Sequence, residues 1–235
     1  NFIRIWELFK PVRDETFVSQ QQRYVELHRP DGTPDIMQFI EHGTLNLVAQ
    51  AEQIGHMAST LSNSVLDNYH HLGDAASITD GLHYDPSLKP YEVSADGKSS
   101  GTPDDMWAFT TRNPNLDFQA ATMFAAASRA LQGYNDELAQ RALVQSKRLM
   151  DEATKLMAKN KQTGRRGDLG TNLQLYAATR EKQYLDNFNA QIWTSLDRNV
   201  NSTIQTALDA IPFMNESYRQ RLRPYVEKYA AYIDT

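Results

Sequence analysis

Apolar residues recur three and four apart over most of this 235-residue chain, the spacing that lines one face of an α-helix. Phe2–Phe9 already carries that periodicity. The clearest helix start is Thr33-Pro34-Asp35, read as an N-cap, a proline at the first helical position and an early carboxylate. Ile36, Phe39, Ile40, Leu47, Val48, Ala51 and Ile54 supply its apolar stripe and Gly55 its stop. A second helix is expected after Asn113-Pro114-Asn115, with Gly133 just past its end. Its body at 120–127 is small and apolar on most sides, as in a helix lying between other helices. Helical hairpins follow. Asn135-Asp136-Glu137 caps a helix that reaches a polar break at 159–166, and 172–179 pairs with 182–196. Two more helices are expected at about 202–210 and 215–233, the last kinked at Pro224. Nothing alternates with period two for long, so no sheet is expected and the fold class is all-α.

The segment 67–106 breaks this pattern. Its 40 residues show no sustained periodicity and carry Gly73, Gly81, Pro86, Pro90, Gly97, Gly101 and Pro103. Loops beyond about 12–15 residues are usually functional or disordered. Tyr69, His70, His71, His83, Tyr84 and Tyr91, followed by Trp107 and Phe109, make this one too aromatic for a plain linker. Only its 95–101 tip is expected to be mobile. Flat aromatic faces beside His, Asp and Arg suit a sugar ring, whose apolar face stacks while its hydroxyls take convergent hydrogen bonds. The same aromatics would equally serve to hold the loop against the helices.

Composition narrows the chemistry. With 40% apolar and 23% charged residues the chain is an ordinary globular one, long enough to bury a core without a staple. It has no cysteine, which excludes thiol catalysis, thiolate zinc sites and disulfides. His70 and His71 are adjacent and cannot share a helix face, and there is no His-Glu-x-x-His, so no metal site is expected. Asp80 to Pro86 sets two carboxylates beside a histidine and a tyrosine, and Asp104-Asp105 is a second acidic pair, residues that ordinarily cap turns. No phosphate loop, nucleophile elbow or dinucleotide fingerprint occurs, so no cofactor is expected. Twenty-nine carboxylates against 24 Lys and Arg give a net charge of -5, and the basic stretch at 159–166 lacks aromatics, which argues against nucleic acid. No apolar run approaches the roughly 20 residues of a membrane span.

Several segments together resemble the catalytic domain of glycoside hydrolase family 9, the cellulase-type enzymes. Asp31-Gly32-Thr33-Pro34-Asp35-Ile36 followed by Glu41-His42-Gly43 is similar to the family's Gly-x-Pro-Asp-hydrophobic helix start. Asn113-Pro114-Asn115-Leu116-Asp117 and the stretch ending in Ala126-Ala127-Ser128-Arg129 resemble its Ala-rich helix. Leu175-Tyr176-Ala177-Ala178-Thr179 with Tyr184-Leu185 resembles its Leu-Tyr-x-Ala-Thr-Gly and Tyr-Leu hairpin, with Arg180 in place of the glycine. Tyr69 to Asp74 and Tyr84-Asp85-Pro86 look like a branch of the family found in glycan degraders. The matches fall in the family's order along nearly the whole chain.

The resemblance implies an (α/α)6 barrel of helical hairpins, about half of it contained in residues 1–235, with a cleft-forming loop at 67–113. It implies inverting hydrolysis of β-1,4-glucans such as cellulose, mixed-linkage glucan or xyloglucan, in a secreted, periplasmic or cell-surface setting. His83, Tyr84, Trp107 and Arg112 are the expected sugar contacts, with His70, His71 and Asp80 behind them. The family's catalytic Asp stands in an Asp-Ala-Gly-Asp motif ahead of the helix that Asn1–Phe9 resembles, and its catalytic Glu near the end of a longer domain; neither motif occurs here. The acidic pair and tryptophan of the family's calcium site are replaced by Arg165-Arg166-Gly167-Asp168-Leu169-Gly170, so calcium is not carried over. The chain, which has no initiator Met, is therefore expected to be a processed or partial product that binds glucan without hydrolysing it. Apolar faces at Phe2–Phe9 and 225–233 are expected to seek the remainder of the barrel. A non-catalytic helical scaffold for carbohydrate or protein, and an exo-acting β-glycosidase on the same barrel, are the alternatives.

Overall fold

The computed structural model describes residues 2–19, 22, 24–63, 80, 82–108, 111–159 and 168–233, with 61–63 and 106–108 described by backbone alone. The fold is all-α in class, with eight α-helices among the described residues. In chain order these are α1 (Phe2–Phe9), α2 (Asp35–Ile54), α3 (Pro114–Leu131), α4 (Asp136–Lys159), α5 (Asp168–Thr179), α6 (Lys182–Arg198), α7 (Val200–Asp209) and α8 (Glu216–Ile233).

Asparagine side chains cap four of the eight helix starts among the described residues. Asn113 Oδ1 accepts the Asn115 N–H at 3.0 Å ahead of α3, and Asn135 Oδ1 accepts that of Leu138 at 3.0 Å ahead of α4. Asn199 and Asn215 do the same for α7 and α8. The start of α2 differs from the expected cap: Pro34, not Thr33, is the flanking residue, and no side chain caps the helix. Gly55 ends α2 at φ 82°, where its N–H reaches Ala51 O, and Gly133 follows α3 at φ 79°, both in the left-handed region that favours glycine. Pro224 lies within α8, which continues to Ile233.

Two apolar cores share the helices. Val48, Phe118, Phe124, Leu131 and Leu149 centre the first, between α2, α3 and α4. Phe188, Ile192, Leu196, Ile204 and Leu222 centre the second, between α6, α7 and α8. Helix α5 serves both, with Leu175 in the first and Leu173 in the second. The alanines of α3 let its neighbours approach closely enough for side chains to reach its backbone: Ser146 Oγ donates to Ala121 O at 2.6 Å and Thr171 Oγ1 to Phe118 O at 3.0 Å. Burying each large apolar side chain of this kind stabilises by about 1.5–3 kcal/mol.

Helix α1 lies against the first core through Ile3 and Trp6. Its two charged residues are both paired, Arg4 with Asp209 at 3.1 Å and Glu7 with Arg129 at 2.8 Å. Phe2 stacks on Phe39 with centroids 5.4 Å apart, and the outer side bearing Phe2, Ile5, Leu8 and Phe9 is exposed, as are Tyr232 and Ile233 at the end of α8.

The expectation of no sheet is corrected by three two-stranded ladders. Strands β1 (Thr16–Ser19) and β2 (Tyr24–Leu27) form an antiparallel hairpin, β3 (Leu61–Asn63) pairs antiparallel with β6 (Met106–Ala108), and β4 (His83–Tyr84) pairs parallel with β5 (Ser99–Ser100). Strands of two to four residues are too short for alternation to stand out in a sequence.

Candidate functional site

The 82–105 segment is a compact hydrogen-bonded unit outside both cores. His83 faces Ser99 and Tyr84 faces Ser100 in the parallel pair, and Val93 bridges to Ser100 from the other side. The 95–101 tip, expected to be mobile, is closed by Ser94 N–H to Ser99 O at 2.9 Å, Gly97 N–H to Ser94 O at 2.9 Å and Lys98 N–H to Asp96 Oδ1 at 3.2 Å. The 94–99 turn thus has its own polar frame.

The acidic pair ahead of β6 ties this unit together. Asp104 Oδ2 accepts the Asp80 N–H at 2.7 Å, and Asp105 Oδ2 accepts the Tyr84 N–H at 2.9 Å. Asp105 also receives His83 Nδ1 at 3.2 Å. Asp80 accepts from Ser100 Oγ and from the Leu82 N–H, and these bonds, the Ser100 one foremost, hold its carboxyl below the usual range. Asp104 goes the other way: burial pushes its carboxyl up, against the opposing Asp80 N–H bond and with further help from the charge of Asp80. Its Oδ1 is buried with no hydrogen-bond partner among the described residues.

The seven expected contact residues therefore divide. Asp80, His83 and Tyr84 are brought together by Asp104, Asp105 and Ser100. The His83 side chain is 79% exposed, with Nδ1 at the Asp105 carboxylate. Trp107 has a described backbone, opposite Ser62 in the β3–β6 ladder and two residues from Asp105. His70 and His71 lie outside the described residues.

Arg112 stands apart, in an ion network that joins α3, α4 and the end of α2. Its Nε donates to Asp117 Oδ2 at 2.9 Å and its Nη2 to Glu152 Oε2 at 2.8 Å, and Asp117 is fully buried. Asp117 Oδ1 also accepts the Met57 N–H at 2.9 Å. From the far side Arg148 donates to Glu152 at 3.0 Å, to Gly55 O at 2.7 Å and to Ala51 O at 3.0 Å. Burial raises the Glu152 carboxyl, yet hydrogen bonds from Arg112 and Arg148 outweigh it and leave the group below its ordinary value. The arrangement fixes the C-terminal end of α2 and residues 55–58 against α3 and α4. Sequence reading found Arg112 but not this company, since Glu152 lies 40 residues away.

A groove of about 480 Å³ lies elsewhere, lined by Ser128, Arg129, Gln132, Asp136 and Gln140 at the α3–α4 turn. It sits at the opposite end of α3 from Arg112, roughly 27 Å along an 18-residue helix. Arg129 there is already engaged with Glu7, Ala125 O and Gln174 O. Among the described residues no group of three or more His, Asp or Glu is placed to hold a metal ion, and no helix is long and apolar enough to cross a membrane. No family model matches the chain, and neither a curated protein nor a solved structure does.

Proposed function

We propose that this chain is the central part of a glycoside hydrolase family 9-like (α/α)6 barrel acting on β-1,4-glucans, with the region around 80–113 lining its cleft. The observation that carries the reading is where the family-like segments fall. The Thr33-Pro34-Asp35 segment opens α2, Asn113-Pro114-Asn115 opens α3, and the 175–185 segment forms the α5–α6 turn, and helix starts and a hairpin turn at these three segments support the reading. The hydrogen-bonded loop that presents His83 and Tyr84 joins α3 through the β6 strand, which suits a binding surface at one end of the helices. The uncovered apolar side of α1 supports further helices packing there.

In this reading aromatic rings stack on pyranose faces and the exposed His83 ring hydrogen-bonds a sugar hydroxyl. The inverting acid and base, which need carboxyl groups about 6.5–9.5 Å apart, come from parts of the barrel that no segment here resembles. The test is a titration of the chain with cello- and xyloglucan oligosaccharides read by tryptophan fluorescence. Saturable quenching that is lost in Trp107→Ala, without glycoside hydrolysis, is expected. No response at millimolar sugar would overturn the glucan reading, and hydrolysis by the chain alone would overturn the division of labour.

A further inference from the structure

The β1–β2 hairpin has two outer edges, and the fold treats them differently. Along β1 the outward groups are taken: Asp31 Oδ2 accepts the Val18 N–H at 3.2 Å, and Gln38 Nε2 donates to Thr16 O at 2.8 Å. In an antiparallel pair, residues alternate between those that exchange hydrogen bonds with the neighbouring strand and those whose N–H and C=O point away from it. Thr16 and Val18 point away, so their partners Leu27 and Val25 point away as well, on the far side of β2. No hydrogen bond among the described residues reaches the outward N–H and C=O groups of Val25 and Leu27.

The side chains along that edge are apolar and uncovered on one face of the ribbon. Thr16 and Val18 lie beside Leu27 and Val25, and Val25 is 58% and Leu27 68% exposed. A bare row of N–H and C=O groups invites another strand, so edges are normally blunted by lysine, proline or a bulge. Tyr24–Leu27 contains neither residue, and its register with β1 is continuous. Its one charge, Glu26, is already engaged by Arg29 at 2.8 Å and by the Tyr24 hydroxyl at 3.2 Å.

We propose that the β2 edge is a self-association surface, at which two copies of this chain pair antiparallel about a two-fold axis through Glu26. The register follows from which residues point outward. With the axis at Glu26, Val25 of each copy faces Leu27 of the other, and each such pair exchanges both of its hydrogen bonds, so every outward group of Tyr24–Leu27 is filled on both edges. The same register sets the exposed Val25 side chain against Leu27 of the second copy, and a row of Val18, Val25, Leu27 and Thr16 then runs unbroken across a four-stranded sheet. The strand is thus complementary to itself in hydrogen bonding and in apolar surface, which is what selects a second copy as its occupant. The two Glu26 carboxylates meet across the axis, and each arrives with its own Arg29 as counter-charge. A contact of this size falls below the roughly 1,200 Å² of stable complexes, so the dimer forms only at high chain concentration. The inference is independent of the glucan reading.

The experiment is sedimentation velocity of the full chain from micromolar to millimolar concentration, with amide exchange followed by NMR over the same range. Wild type is expected to pass from monomer to dimer. Exchange at Val25 and Leu27 is expected to slow as concentration rises, while that at Glu26, whose N–H already bonds within the hairpin, stays constant. Val25→Pro removes one outward donor from each copy and leaves the bonds of the hairpin in place. Leu27→Lys puts a charge on the edge and keeps every backbone donor. Each is expected to weaken dimerisation roughly tenfold or more while melting as wild type does at micromolar concentration. Where Val25→Pro lowers the melt, Leu27→Lys carries the comparison. A chain that stays monomeric over the whole range overturns the proposal. A dimer undiminished in Leu27→Lys, or one that leaves exchange at Val25 and Leu27 unchanged, places the contact on another face and also overturns it.

Discussion

Asp117→Asn is the sharpest test of the Arg112 ion network. Asp117 is fully buried, and its two oxygens are divided between a backbone N–H from Met57 and the Arg112 guanidinium, whose side chain is 27% exposed. Asparagine is the same shape but has one acceptor and one donor. If its oxygen faces Met57, its amide nitrogen meets Arg112 Nε donor to donor; if it is flipped, the Met57 N–H loses its acceptor. Breaking a buried ion pair costs about 3–5 kcal/mol when the surviving charge has nowhere to go. Arg112 retains Glu152 at 2.8 Å, so about 2–3 kcal/mol is expected, equivalent to a melting temperature lowered by about 4–12 °C in a chain of this size. Urea unfolding followed by circular dichroism gives the value, with the denaturant slope checked for constancy. A melt within about 1 °C of wild type would refute the reasoning, because it would mean that the buried carboxylate bears no charge-specific interaction. Since two faces of the guanidinium are already occupied, Arg112→Lys is expected to show first in stability and only then in sugar affinity.

Two further outcomes concern the loop. Asp104 has a raised folded-state value, so its stabilising contribution is full below the unfolded carboxylate range and is lost as pH rises through the folded value. Asp104→Asn, which keeps an acceptor for the Asp80 N–H, should therefore raise the melting temperature at pH 7 and lose that advantage near pH 3.5; a pH-independent effect would contradict it. Gly101→Ala places a Cβ against Lys89 O at 1.9 Å, so the 89–92 turn must lift away. Faster backbone exchange at Glu92 is expected in that variant, and wild-type exchange would count against the close approach.

The helices were legible because their punctuation is local. Asn113, Asn135, Gly55 and Gly133 act within a turn of where they stand, and each marks a boundary that the structure retains. Helix α5 was less legible: it begins at Asp168, four residues before the expected 172, through Gly170 and Thr171, which are poor helix formers. What holds that first turn is tertiary. Thr171 Oγ1 donates to Phe118 O, and Gly170 lies where a Cβ would come within 3.6 Å of Thr122. The candidate site was legible in its residue types and not in its wiring. Asp104 and Asp105 stand out as a pair, but the groups they bind, the N–H of Asp80 and of Tyr84, come 24 and 21 residues earlier. Arg112 was readable as a cation near aromatics, whereas its buried partner and Glu152 became visible only when α3 and α4 were side by side.

Helix α5 has a kinetic consequence. With Leu175 in one core and Leu173 in the other, it is the partition through which disruption of either half is felt. Opening of α6, α7 and α8 strips the second face of α5 while leaving the first sealed by Phe118 and Phe124. Such an event is a partial unfolding with its own free energy, below that of the whole chain. Amide protection should accordingly separate into two tiers, with α5 grouped with α3 and α4 in the slower one. The terminal helices would then be the first part of the molecule to be cut by a protease or recruited by another chain.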